Sequence, residues 1–161
     1  TPADIERAAA ALMQEYGTHR GLIVLDYLQK MASMIMTQTG DGALRKKVGK
    51  LAGELRLIGK ERLGVPVLCI CATNREGQRA STKNKETGFT MQDFKESGEI
   101  EYACDSAYGL VSHPDGYDPM QGTRQVHLYR PKNRVGSLIV GEPLHLTFYQ
   151  KTGAQLEPYN R

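Results

Sequence analysis

The sequence predicts an α/β fold with a mostly parallel sheet and flanking helices, and three observations carry that expectation. Two apolar, branched runs, "GLIVLD" at 21–26 and "VPVLCICAT" at 65–73, have the length and composition of strands buried on both faces. Between them Leu44, Val48, Leu51, Ala52, Leu55 and Ile58 recur at the helical interval, while Arg45, Lys46, Lys47, Lys50, Glu54 and Lys60 lie off that stripe. Strand, helix, strand in this order implies parallel neighbours joined by a right-handed crossover.

Each element has its own local reason. Thr1 as N-cap, Pro2 at the first helical position and Ile5, Ala8, Ala9, Leu12, Met13 and Tyr16 along one side predict an amphipathic helix over 2–16, stopped by Gly17. "MASMIMTQTGDG" (31–42) reads as a loop that turns helical near Ala43, and Gly64 ends the second helix after residue 63. "NREGQRASTKNKETG" (74–88) is polar and glycine-containing, and its Lys83 and Lys85 read as solvated. "SGEIEYACD" (97–105) suits a short helix and "SAYGLVS" (106–112) a third strand, after which "HPDGYDPMQGT" (113–123) is turn chemistry throughout. "RQVHLYR" (124–130) and "EPLHLTFYQ" (142–150) alternate like strands with one wet face, and "PKNRVGS" (131–137) lies in the connection between them.

Composition sets the outer bounds. With 161 residues, 40% hydrophobic and 24% charged, the chain has the material for one core, so a single domain over 1–161 is expected. No apolar run approaches the roughly 18 residues of a membrane helix, and the N-terminus lacks the basic-then-apolar order of a signal peptide. A cytoplasmic protein without a membrane partner is the expectation. Cys69, Cys71 and Cys104 are odd in number and lack the paired spacing of a zinc site, so they read as buried thiols. The four histidines, His19, His113, His127 and His145, are scattered and read as surface or strand residues. A net charge of +3 neither demands nor excludes nucleic acid.

The first strand raises a question of chemistry because it stops on a carboxylate, Asp26. Ligands of parallel sheets gather at the carboxyl ends of strands, where an aspartate is placed to hold magnesium beside phosphates; a solvated strand end or a helix cap satisfies the same local pattern. "PKNRVG" reads as a basic hairpin tip and "ESGE" as a serine N-cap with acidic residues in the first turn, unless a wider pattern joins them.

Such a pattern exists. "LIVLDYLQKM", "GVPVLCICATNR", "FKESGEIEYACD" and "PKNRVG" occur in the order and approximate spacing found in the ATPase domain of bacterial DnaB-type replicative helicases, which the chain resembles over nearly its whole length. The resemblance implies a RecA-like fold, ATP and Mg²⁺ as cofactors, single-stranded DNA as partner and a ring of six subunits. It implies that Asp26 is the Walker B aspartate that helps place Mg²⁺, directly or through water, with Gln29 beside it in the nucleotide-binding "DYLQ" signature. Lys95, Glu96 and Gly98 match the loop that tracks single-stranded DNA, where such contacts fix the strand without reading its bases. Lys132 and Arg134 match the catalytic basic pair that a neighbouring subunit inserts against the γ-phosphate, where a rigid guanidinium stabilises spreading charge.

The sequence also departs from that family. The phosphate-gripping pattern G-x-x-x-x-G-K-[ST] is absent: Gly49-Lys50 and Gly59-Lys60 lack the following Ser or Thr and the preceding glycine. The chain alone is therefore expected not to hydrolyse ATP efficiently, and it reads as the C-terminal portion of a longer ATPase domain. A degenerate relative that keeps the fold for DNA binding or recombination mediation is the alternative, and an interaction scaffold the third reading. The missing strand is expected to leave a slot in the sheet, with exposed strand edges and apolar surface that favour self-association. Ala72 stands where many members carry a phosphate-sensing glutamine, and Lys95 where an arginine is common.

Overall fold

The structure is a computed structural model, and it describes residues 1–35, 43–73, 89–94, 97–136, 138–150 and 155–158. The backbone divides into two compact units, one of residues 1–72 and 95–104, the other of 73–94 and 105–161.

The first unit opens with α1 (Pro2–Glu15), which Thr1 caps through a capping box with Asp4 and which ends at Tyr16 and Gly17, within a residue of the sequence expectation. Its apolar stripe is not core: no residue of α1 is fully buried, and Leu12 and Tyr16 are exposed. Together with Leu22, Ile23 and Val65 the stripe lines an open groove of about 490 Å³. The helix is amphipathic, as its periodicity predicts, but its greasy side faces a groove.

β1 (Ile23–Leu25) pairs in parallel with β2 (Val67–Cys69), in the register Ile23 to Val67, Val24 to Leu68 and Leu25 to Cys69. The predicted parallel pair is present, and the expectation of burial on both faces is corrected. Ile23, Leu25, Val67 and Cys69 are half-buried, whereas Val24 is 56% and Leu68 51% exposed. A strand is continuous in its hydrophobicity when both faces are destined for cover, but cover is supplied by other elements, and among the described residues of this unit only one face receives it.

α2 (Leu28–Ile35) is a second correction, because the sequence reading places a loop from Met31. Leu28 and Ala32, one helical turn apart, are both buried as α2 packs on α3 (Ala43–Leu57), so tertiary burial extends the helix into that segment. The rest of the expected loop, 36–42, lies outside the described residues. α3 buries Val48, Leu51 and Leu55, the predicted stripe, and continues as a π-helical turn (Ile58–Leu63) with Ile58 buried. Gly64 closes it at φ 65°, a left-handed conformation that an L side chain resists. The short helix α4 (Ser97–Ala103) packs on α3, where the Arg56 guanidinium donates to the Ala103 carbonyl at 3.0 Å and satisfies a C-terminal acceptor.

The second unit is a four-stranded antiparallel sheet of β3 (Ser106–Asp118), β4 (Thr123–Asn133), β5 (Ile139–Tyr149) and β6 (Gln155–Pro158), in that order across the sheet. The fold remains α/β, but among the described residues its parallel part is two strands. β3 is joined to β4 by a tight turn in which Asp118 Oδ1 accepts from the Met120 and Gln121 amides at 2.9 and 3.2 Å, and so short a hairpin compels antiparallel pairing.

That turn is shorter than the 113–123 expected. Ser112 pairs with Val126 and Tyr117 with Arg124, so β3 advances further than β4 and absorbs the Pro-Asp-Gly segment as an irregularity inside a longer strand. Shifts between Ala107 and Gly109, and between Leu128 and Arg130, break the alternation expected of "RQVHLYR": Thr123, Val126 and Tyr129 are the buried residues of β4. β6 was not foreseen.

Phe89 covers part of this sheet. It stacks edge-on against Phe94 at 5.1 Å between centroids and lies 6.4 Å from Tyr129, while a Cβ on Gly109, the cross-strand partner of Tyr129, would meet the Phe89 ring at 2.1 Å. Only glycine admits the ring there. A 3₁₀ turn (Met91–Asp93) sets the two phenylalanines, with the buried Asp93 carboxylate accepting from the Thr90 amide at 2.6 Å. No helix among the described residues is long and apolar enough to cross a membrane.

Candidate functional site

Asp26 follows the last residue of β1 and stands exposed at the carboxyl end of the parallel pair. The backbone on either side of it is fixed: the Ile70 amide donates to the Leu25 carbonyl, and the Leu28 amide donates to the Ile70 carbonyl, each at 2.9 Å. The bond between Asp26 and Tyr27 is cis. The carboxylate itself faces solvent from a rigid strand end, a hard oxygen donor of the type that magnesium accepts while keeping most of its water.

Gln29 is the second residue of α2 and is 6% exposed. Its Oε1 accepts the Ala72 amide at 3.0 Å, which ties the helix after β1 to the segment after β2. The carboxamide that the "DYLQ" resemblance places in the nucleotide site is engaged with the backbone of the very position where the family glutamine is replaced by alanine. Cys69 and Cys71 lie nearby in sequence, and burial pushes their thiols up to about 11 and about 12. At neutral pH they are protonated, poor nucleophiles and poor metal ligands. Among the described residues no three His, Cys, Asp or Glu side chains gather as a metal cluster.

Of the expected DNA loop, Lys95 and Glu96 lie outside the described residues. Gly98 is in the first turn of α4, where a Cβ would stand 3.0 Å from Nη2 of Arg45 on α3. Arg45, which lies off the apolar stripe of α3, is therefore brought to the start of the "SGEIE" helix.

Lys132 and Arg134 belong to the second unit. Lys132 is half-buried near the end of β4 and pairs with Ala107, while Arg134 is the first residue beyond the strand and is exposed. Its turn is tied to the start of β3. The Arg134 amide donates to the Asp105 carbonyl at 2.9 Å, and Nη1 donates to Asp105 Oδ1 at 2.7 Å. Asn133 Oδ1 accepts from Ser106 Oγ at 3.1 Å and from the Val135 amide at 3.3 Å. His127 and His145 meet across β4 and β5 with ring centroids 4.6 Å apart, in strand positions.

The model of the family described as DnaB-like helicase C terminal domain matches residues 1–154. The chain belongs to that family. A solved structure, "ATPase Domain of G40P", superposes with a TM-score of 0.67 at 17% sequence identity, covering 99% of this chain and 52% of that one. At that identity the likeness establishes the fold, which is RecA-like, and the chain spans about half the length of the structure it matches. A comparison with curated proteins finds no match.

Within this DnaB-like domain the sequence reading missed Asp105 and Asn133, the two side chains that hold the turn bearing Arg134. Neither has a local signature. Asp105 closes "SGEIEYACD" and reads as a helix-ending polar residue, and its partner becomes its neighbour only through the Ser106 to Asn133 register. Phe89 and Phe94 were the legible omission, since two phenylalanines spaced around Thr90 and Asp93 carry the signal of a capped turn with a hydrophobic closure.

Proposed function

We propose that this chain is the C-terminal part of the ATPase domain of a hexameric replicative DNA helicase, and that it supplies the motor with a magnesium-holding aspartate, a single-strand loop and a basic finger that acts on the nucleotide of a neighbouring subunit. The observation that carries the reading is the position of Asp26, a solvent-facing carboxylate fixed at the carboxyl edge of a parallel pair in a chain of this family. Membership in the DnaB-like family makes nucleotide and single-stranded DNA the expected ligands.

Asp26 is the residue that would hold Mg²⁺, and that ion, when bound with ATP, neutralises charge on the phosphate oxygens. Gln29 acts behind it: buried and bonded to Ala72, it couples the strand end that carries Asp26 to the end of β2, so its role is positional. Arg134, always charged and planar, stabilises the transferring phosphoryl group of the adjoining protomer, with Lys132 adding positive potential at the same strand end. Lys95, Glu96 and Gly98 hold the DNA backbone without regard to sequence. The phosphate loop is not in this sequence, so turnover requires one supplied from elsewhere.

The test is DNA-stimulated ATP hydrolysis by the gene's full-length product. Asp26→Asn is expected to lower kcat by at least roughly a hundredfold, since a neutral amide is a weak magnesium ligand. A Lys95→Ala protein is expected to bind single strands with a shallower salt dependence, by roughly 0.7 in the log-log slope. Unchanged turnover in the first variant removes the magnesium-holding role of Asp26, and no turnover in the unsubstituted protein leaves a DNA-binding relative without ATPase activity; an unchanged slope in the second removes the loop assignment.

A further inference from the structure

We infer that Asp105 is a positioning residue for the trans-acting guanidinium, presetting Arg134 before the neighbouring subunit's nucleotide arrives. The inference rests on the finger reading of Arg134 and adds to it the device that makes the finger rigid.

An arginine one residue beyond a strand end has four rotatable side-chain bonds, and an exposed one loses much rotamer entropy when it is confined. A finger that is disordered until phosphate arrives meets that cost in the transition state, where it subtracts from catalysis. Here the confinement is already present. Ser106 pairs with Asn133 as the outermost residues of the β3–β4 ladder, so Asp105 and Arg134 are the next pair out, facing each other beyond the last rung. Asp105 holds Arg134 at two points, its carbonyl taking the backbone amide at 2.9 Å and its carboxylate taking Nη1 at 2.7 Å. Asn133 closes the other side of the turn through Ser106 and Val135.

The pair is not there chiefly for folding. Its side chains are 39% and 56% exposed, a setting in which ion pairs contribute little to stability. What such a pair does fix is direction. A guanidinium donates along the plane of its fork, and one edge taken by a carboxylate anchored just before a strand orients the whole plane.

Four versions of the full-length helicase decide the matter by steady-state DNA-stimulated ATP hydrolysis: Arg134→Ala, Asp105→Ala, Asp105→Asn and the double alanine variant. Asp105→Ala is expected to lower kcat roughly tenfold to a hundredfold, the loss typical of a misplaced catalytic group, with KM for ATP within about twofold. Asparagine keeps an acceptor oxygen and should restore most of the turnover. In the double variant the loss should equal that of Arg134→Ala alone, because a clamp has no effect without its client. If Arg134→Ala impairs turnover while Asp105→Ala is normal, or if the two losses multiply, the clamp is overturned and the finger stands. If Arg134→Ala leaves kcat untouched, the finger reading itself fails and takes the catalytic role of Asp105 with it. Asp105→Ser, too short to reach Nη1, replaces the alanine variant should that one fail to fold, and carries the same expectations.

Discussion

The helical unit and the antiparallel unit obey the same physics with different legibility. In the first, burial follows the 3.6-residue period: Val48, Leu51, Leu55 and Ile58 are buried because they share a face, and that face is visible in the string. In the second, burial on β4 falls on Thr123, Val126 and Tyr129, a spacing that no regular strand produces. The difference lies in bulges. One residue more or less in a helix turns the later side chains by about 100°, but in a strand it sends every later side chain to the opposite face.

Three perturbations break or sharpen that contrast. The largest is Leu55→Ala, which removes a side chain 2% exposed in the last turn of α3 and should cost about 3 kcal/mol in urea unfolding, with the greatest loss of amide protection over 28–35 and 43–63. Equal loss over 106–149 would show the units unfolding as one and dissolve the comparison.

Next is Gly109→Ala. A single methyl placed against the Phe89 ring should cost about 2 kcal/mol, with protection falling first in β3 and β4. A neutral outcome would mean that Phe89 does not cover the sheet.

The smallest effect on stability, and the most informative about surface, is the exposed cross-strand pair Val24 and Leu68 replaced together by threonine. Folding should change by no more than about 0.5 kcal/mol, while self-association in sedimentation velocity is expected to fall, since Val24 and Leu68 are exposed apolar residues on adjoining strands and such surface favours association. Unaltered sedimentation, or a chain that is a dilute monomer from the outset, would place the association surface elsewhere or remove it.

How the candidate residues were read follows the same division. Asp26 was legible because strand ends and chain order are both local: an apolar run that stops on a carboxylate places it at the edge whatever else surrounds it. Gln29 was legible as a signature residue but not as a buried one, since its bond to the Ala72 amide spans the parallel pair. Arg134 could be singled out as a basic residue in a turn, yet the carboxylate holding it, Asp105, is adjacent only through pairing of β3 with β4. The segment after Met31 shows the reverse, a stretch of turn-like composition drawn into α2 because Ala32 had somewhere to be buried.

By itself the sequence determined what depends on near neighbours along the chain: the helical stripe of α3, the cap at Thr1, the parallel order of β1 and β2, and the family to which the motifs belong. Tertiary structure decided which faces are covered, where β3 ends, and what holds Arg134. The reason is range. Periodicity and capping are settled within a turn or two of backbone, whereas cover, register and ion pairing depend on a partner that the local string does not specify.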